Sequence, residues 1–197
     1  MKKIDILQNI VLQTNGILTT ASATSYGISR QYFLEFVRKN GFEKIRNGVY
    51  LAPDAWEDTM FVLQQRYKNI VFSHGTALYL LDMTDHEPLE YEVTIPRGYN
   101  PTVLSKNGVR AYSVKKENFE LGIIQLKTHM GNMVRVYNPE RTICDILRSK
   151  KSVEIQDRQM AIKEYVKRKD KNIPLLMEYA ERFNVKETIK PYLEVLL

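Results

Sequence analysis

One cysteine is all that the chain carries, so no internal disulfide can form and nothing requires an oxidising compartment. Cys144 lies within the apolar stretch TICDIL, where a lone thiol is expected to be a small buried residue. No activating base stands near it in sequence, which excludes a recognisable nucleophile motif. No apolar run approaches the ~20 residues of a membrane span. The opening Met1-Lys2-Lys3 looks like the start of a signal peptide, but Asp5, Gln8 and Asn9 interrupt any apolar core behind it. A cytoplasmic location is therefore expected. Also lacking are a phosphate-cradling glycine loop, an internal repeat and a low-complexity segment. With 26% charged and 44% hydrophobic residues, the composition excludes a disordered chain and suits a packed one.

The 197 residues leave room for a small domain and a medium one. The net charge of +6 is unevenly spread. Residues 1–52 hold seven Lys/Arg against three acids, so they carry +4. The remaining 145 residues carry only +2. A small basic module ahead of a nearly neutral body points to a polyanion reader joined to a second domain. The segment APDAWED at 52–58 marks the expected boundary, giving domains 1–52 and 53–197.

Ile4, Leu7, Ile10 and Val11 follow helical spacing, and Gly16 stops the helix. Thr19 or Thr20 is placed to cap a second helix that Gly27 ends, and Ser29 to cap a third that Gly41 ends. Phe33, Phe36 and Val37 share the inner face of that third helix, with Tyr32 at its edge. FEKIR and VYLA then flank Asn47-Gly48, a hairpin signal expected to form a type I′ turn. Asp54 is placed to cap a helix through Trp56, Met60, Phe61, Leu63 and Tyr67, and HGTALYLL to form the next. YEVTIP, VRAYSV, IIQLKT and MVRVY predict a β-meander, and the text after Pro139 returns to helices. Within 154–169, Ile155, Ile162 and Val166 are expected to face the core. The fold class is thus α+β: a winged helix-turn-helix, then a mixed domain with antiparallel strands and C-terminal helices.

Three helices and a basic hairpin are the parts that place one helix in the DNA major groove and a wing on the backbone. The leading residues of the third helix, Ser29, Arg30, Gln31 and Tyr32, would meet base edges. Arginine pairs with guanine through two hydrogen bonds, and glutamine does the same with adenine. Arg38 and Lys39 lie further along, better placed for phosphate, as do Lys44, Arg46 and Asn47 at the hairpin. Hydroxyls for phosphate contacts come from Thr19, Thr20, Thr24, Ser25 and Tyr26. Three helices and a hairpin also build domains that bind only proteins; the basic hairpin and the Gly-Ile-Ser-Arg-Gln text favour duplex DNA.

The remaining chemical patterns in the sequence are weak. Ser73-His74 is not a triad, because a base must meet its hydroxyl in space; Ser73 is expected to be a helix cap, and His74 a structural or partner-contact residue. Asp82, Asp85, His86 and Glu87 match no metal-ligand spacing, so no metal and no cofactor are expected. SVKK at 113–116 lacks companion motifs. No catalytic residue is assigned and no enzyme is expected. A nuclease would need paired carboxylates with a lysine on a strand. Arg148, Lys150, Lys151, Arg158, Lys163, Lys167 and Arg168 crowd the C-terminal third, interleaved with Asp157, Glu164 and Asp170. They form either an ordinary solvated face or a contact surface for DNA, RNA or an acidic partner.

GISRQYF at 27–33 and RNGVYLAP at 46–53 give residues 4–52 a resemblance to the N-terminal module of the AbiEi family of antitoxins. IVFSHGTALYLLDMTD at 70–85, EVTIPRG at 92–98 and VYNPERTICDILR at 136–148 resemble the segments that follow in that family, in order. The resemblance implies a winged-helix repressor that binds inverted repeats in its own promoter. It implies a second activity, counteracting a co-encoded nucleotidyltransferase-like toxin in abortive phage infection, without a stable complex between the two. The basic C-terminal residues are then the candidate antitoxin surface. The partners expected are double-stranded promoter DNA and the toxin, with no membrane. The chain is expected to be a monomer in solution and to bind DNA in more than one copy. The competing expectation is a winged-helix regulator whose second domain senses a ligand.

Overall fold

The computed structural model describes residues 2–149 and 153–196. The chain is α+β and forms two units: Met1–Lys68 with Lys127–Val134, and Asn69–Leu126 with Arg135–Leu197.

The first unit opens with α1 (Lys3–Gln13), β1 (Ile17–Thr19), α2 (Thr20–Ser25), α3 (Arg30–Lys39), β2 (Glu43–Arg46) and β3 (Val49–Leu51). The three strands form an antiparallel sheet in the order β1-β3-β2. This is a winged helix-turn-helix. Its core gathers Leu7 and Ile10 of α1, Leu18, Ala23, Ile28, and Phe33, Phe36 and Val37 of α3. Phe33 meets Tyr50 of the wing edge-on at 5.2 Å, which ties the sheet to α3. Ile4, on the expected inner stripe of α1, is instead 40% exposed.

Local chemistry sets the angle between α2 and α3. The Thr19 hydroxyl accepts from the Ser22 amide at 3.0 Å and caps α2, a contact worth about 1 kcal/mol. At the other end Gly27 takes φ +71°. The Ile28 amide donates to Ala23 and the Gly27 amide to Thr24, at 3.1 and 2.9 Å, a Schellman stop that a β-carbon would strain. Ser29 then starts α3 by accepting from the Tyr32 amide.

The hairpin is not type I′: Gly48 has φ +75°, but Asn47 is not in the positive region, and the register shifts between Lys44 and Arg46. Such a bulge absorbs the twist that a type I′ turn would supply. The cap of α4 (Thr59–Arg66) is Asp58, not Asp54; its carboxylate accepts from the Phe61 amide at 3.0 Å, and Trp56 stands outside the helix, 80% exposed. The division also falls later than residue 52. Asp58 is buried and accepts from the Asn132 side chain at 2.9 Å and from the Thr128 hydroxyl, so α4 and the 127–134 segment belong with the first unit.

The second unit contains β4 (Val71–Phe72), α5 (His74–Leu80), β5 (Tyr91–Pro96), α6 (Thr102–Ser105), β6 (Val109–Val114), α7 (Lys116–Phe119) and most of β7 (Ile123–Lys127) and β8 (Met133–Tyr137). Helices α8 (Pro139–Arg148), α9 (Ile155–Lys167), α10 (Ile173–Arg182) and α11 (Lys186–Leu196) complete it. The sheet order is β6-β5-β4-β8-β7. It is mixed and not a meander: β4 pairs antiparallel with β5, whereas β5–β6 and β4–β8 are parallel. The β5–β6 link carries α6, and a link of about a dozen residues is what a parallel return requires. On α9, Ala161, Ile162 and Tyr165 face inward, while Ile155 is 62% exposed, one turn too early to reach the core.

Arg141 of α8 is buried at the centre of this unit. Its Nε donates to Asp145 at 2.9 Å, its Nη1 donates to the Asn118 carbonyl at 2.8 Å, and the guanidinium lies over the Tyr137 and Phe183 rings at 4.3 and 4.0 Å. A buried charge so placed is held by partners on several elements, and removing one partner costs far more than the pair is worth.

Candidate nucleic-acid interface

α3 buries one face and turns the other to solvent. Arg30, Gln31, Leu34, Glu35 and Arg38 are exposed along that outer arc. The helix N-terminus projects Arg30 and Gln31 from the end whose free amides favour anions. Arg38 and Lys39 stand in the last turn, also exposed.

The wing is fastened beside this helix. The Thr20 amide donates to the Gly48 carbonyl at 2.9 Å. Between α2, the start of α3 and the wing lies a cleft of about 460 Å³. Arg30 and Lys44 enter it from different elements, together with the Thr20 and Thr24 side chains and Asn47; Ile28, Phe33 and Tyr50 supply its apolar wall. No carboxylate is among its lining residues. Two cations lining one cleft without a carboxylate give it a positive potential that favours an anion. The Thr24 and Thr20 hydroxyls donate to the Thr20 and Gly48 carbonyls, at 2.8 and 3.5 Å, so Lys44 and the Asn47 side chain are the donors left for a phosphate, with Arg30 at the helix start beside them.

The other residues expected at the interface fall into distinct places. Ser25 and Tyr26 are exposed at the end of α2, and the Ser25 hydroxyl donates to the Ser22 carbonyl at 2.7 Å. Tyr32 is half-buried on the core, with the Lys3 ammonium 5.7 Å from its ring centre. Ser29 is exposed but occupied as a cap. Thr19, expected to contact phosphate, is instead buried, and its hydroxyl is committed to Ser22 as the cap of α2. Arg46 is exposed, but its guanidinium lies 3.6 Å from the Glu57 carboxylate. That counter-ion was not legible beforehand, because the two residues meet only through the fold. Leu34, spaced four residues from Arg30 and from Arg38, shares their stripe on α3.

No protein-family profile matches the chain, and no curated protein matches it. Among solved structures, the chain is similar to the crystal structure of the RV2827C protein from Mycobacterium tuberculosis, at 13% identity with a TM-score of 0.55. The likeness covers 89% of this chain and 70% of the other. At that identity it shows a shared fold across both units.

The basic residues of the C-terminal third do not form one free patch among those described. Lys150 and Lys151 lie outside the described residues. Arg148 leans inward, 3.7 Å from buried Asp145 and over the Phe183 ring. Arg168 is tied to Asp170 by two contacts of 2.9 Å and donates to the Leu81 carbonyl. Lys167 pairs with Glu164 at 2.6 Å, and Arg158 is half-buried. Lys163 is exposed. Carboxylates one turn away neutralise this helix face, as the alternation of signs along it foreshadows.

Ser73-His74 takes a form that sequence adjacency alone did not indicate. Ser73 stands at the N-cap position of α5 but makes no capping bond there; its Oγ lies 2.9 Å from Nδ1 of His74. His74 adopts φ +51° and is fully buried, so it is no partner contact. Its Nε2 lies 3.1 Å from the Ser149 hydroxyl, and its ring stacks on Tyr112 at 3.7 Å. Burial, then the nearby charges of Arg148, Arg141 and Arg110, lower its pKa to about 3. An imidazole that weakly basic has little drive to take a hydroxyl proton near neutrality. Beside it, Glu92 accepts from the Gly75 amide at 2.7 Å and from the Tyr112 hydroxyl at 2.6 Å. Cys144 is likewise inert: burial pushes its thiol up to about 12.

Proposed function

We propose that the first unit binds duplex DNA in a sequence-dependent way, with α3 in the major groove and the β2–β3 wing on the backbone. The observation that carries this reading is the cleft that Arg30 and Lys44 share with Thr20, Thr24 and Asn47, free of any lining carboxylate. The charge of +4 over residues 1–52 supports it at longer range. On the resemblance to AbiEi antitoxins, the chain represses its own operon through promoter inverted repeats and counteracts a nucleotidyltransferase-like toxin through its second unit. It works in the cytoplasm; among the described residues no helix is long and apolar enough to cross a membrane. Titration of full-length protein against its own promoter and a scrambled duplex tests the DNA-reading role. Preference for the promoter is the expected result, and equal affinity for both would refute it.

A second reading has its own observation. In the second unit, Glu92 and Arg110 face a hollow of about 310 Å³ that also touches Gly75, Leu78 and Leu89. That volume is at the lower limit for a small-molecule site. A ligand-sensing regulator would show promoter affinity that changes when a small metabolite fraction is added. The antitoxin reading expects no such change.

A further inference from the structure

The outer arc of α3 carries one apolar residue among charged and amide neighbours. At roughly 100° per residue, Leu34 falls between Arg30 and Arg38 on the helix circumference, with Gln31 and Glu35 next on the same side. Leu34 is 39% exposed and Arg30, Gln31, Glu35 and Arg38 are exposed too, so the stripe points away from the core. All five residues line one open concavity of about 770 Å³ between α3 and the wing, whose floor is Val37, Phe42 and Tyr50. A single exposed leucine on a protein surface is ordinary. Its place is what distinguishes this one: one turn beyond Arg30, in the row that would meet successive base pairs if α3 enters the major groove.

The major groove exposes one apolar group, the C5-methyl of thymine. We propose that Leu34 contacts a thymine methyl within a base pair or two of the base read by Arg30. Resting on the DNA-reading role proposed above, this names what the helix selects there: a 5-methylpyrimidine, chosen by burial of a methyl against an isobutyl group. Hydrogen-bonding residues on either side position the groove and cannot themselves distinguish thymine from uracil, which differ only by that methyl. Glu35, on the same arc, accepts only and would favour a cytosine amino group; a helix with Leu34 and Glu35 adjacent therefore separates the two pyrimidines.

The test uses full-length protein and a duplex selected by it from random sequence. Each thymine of the selected duplex is replaced in turn by deoxyuridine, and affinity is measured by fluorescence anisotropy. One position near the centre of each half-site should lose about fourfold in affinity, the effect of withdrawing one buried methyl. Leu34→Ala should bind the thymine and deoxyuridine duplexes equally and stay folded at the assay temperature, with at most a few degrees lost from the melt because the side chain is 39% exposed and alanine suits a helix. Leu34→Met should restore part of the difference. Equal deoxyuridine penalties in wild type and Leu34→Ala would overturn the assignment, as would a wild type indifferent to every thymine methyl while still selecting a sequence. A wild type that selects no sequence would instead remove the DNA-reading role itself, along with this inference.

Discussion

The Thr20 amide donates to the Gly48 carbonyl at 2.9 Å, so the tip of the wing is tied to the first turn of α2. Gly48 sits at φ +75°, and a β-carbon there would approach the Thr20 hydroxyl to 2.7 Å. Gly48→Ala should cost about 1 kcal/mol from the backbone alone. Thermal melts should show a drop of about 4–8 °C if the first unit unfolds independently. DNA affinity should fall further than the melt explains, because the lost tether frees Lys44 and Asn47 from their place beside Arg30.

Arg30 is the residue from which a base preference would be lost first. It is exposed at the start of α3, so Arg30→Ala should leave folding unchanged. Against the selected duplex it should cost about 1–3 kcal/mol and relax the preference at one base pair. Uniform weakening across all sequences would assign Arg30 to phosphate instead. Competition titrations with single-position variants of the duplex separate the two outcomes.

The wing cations should differ from each other. Lys44 lines the carboxylate-free cleft, whereas Arg46 has Glu57 at 3.6 Å. Lys44→Ala should lower the slope of log affinity against log salt by about one unit. Arg46→Ala should lower it by less, since its charge is already partly offset. Glu57→Gln should raise the slope and strengthen binding at low salt. Identical slopes for wild type and Lys44→Ala would mean that the cleft takes no phosphate.

Acid should expose the burial of His74. Its pKa in the folded chain is about 3, below the ordinary 6.5, so the unfolded chain binds the proton more tightly. Its contribution to stability is full above pH 6.5 and is lost as pH falls from there towards 3. The loss approaches about 1.4 kcal/mol per pH unit within that window. Burial raises the pKa of Glu92 and Asp145, and these groups act with the opposite sign, favouring the fold as pH falls. The difference between wild type and His74→Asn isolates the histidine, and asparagine tolerates the left-handed backbone at this position. Urea midpoints of the two proteins from pH 7 to pH 4 should converge as acid is added. A constant difference would show that His74 is not held neutral.

Much of this architecture is written in short-range signals. Helix stops at Gly27 and Gly41, the caps at Thr19 and Ser29, and the alternation in YEVTIP and VRAYSV each act within a few residues, so they survive reading along the chain. What was hidden depends on contacts between distant segments. Asp58 finds Thr128 and Asn132, His74 finds Ser149, and β4 finds β8 only after folding. At the interface, Arg30 and Lys44 were legible by type, but not the Glu57 that offsets Arg46 or the burial of Thr19. Charge counts alone overstate a basic patch on α9, because Glu164 and Asp170 lie within a turn of Lys167 and Arg168.

If the chain has the two activities proposed, repression and toxin neutralisation should be separable by point changes in α3 and the wing, and less cleanly by truncation at residue 52. A cut there would leave α4 and its Asp58 network without the rest of the first unit, whose Asn15 side chain also donates to the Met130 carbonyl at 2.8 Å. Arg30→Ala combined with Lys44→Ala removes two exposed cations and touches no core contact, so the variant should fold as the wild type does. It should lose promoter binding and still rescue growth when the toxin is expressed from an unrelated promoter. Lys163→Glu should leave both activities intact if the α9 face is merely solvated, and should abolish rescue if that face meets an acidic partner. Arg148→Glu is the wrong probe for that surface, because a second carboxylate beside buried Asp145 would destabilise the unit outright. A growth-rescue assay run beside a thermal melt decides between these. Loss of rescue in the Arg30/Lys44 variant with an unchanged melt would show that neutralisation itself works through DNA.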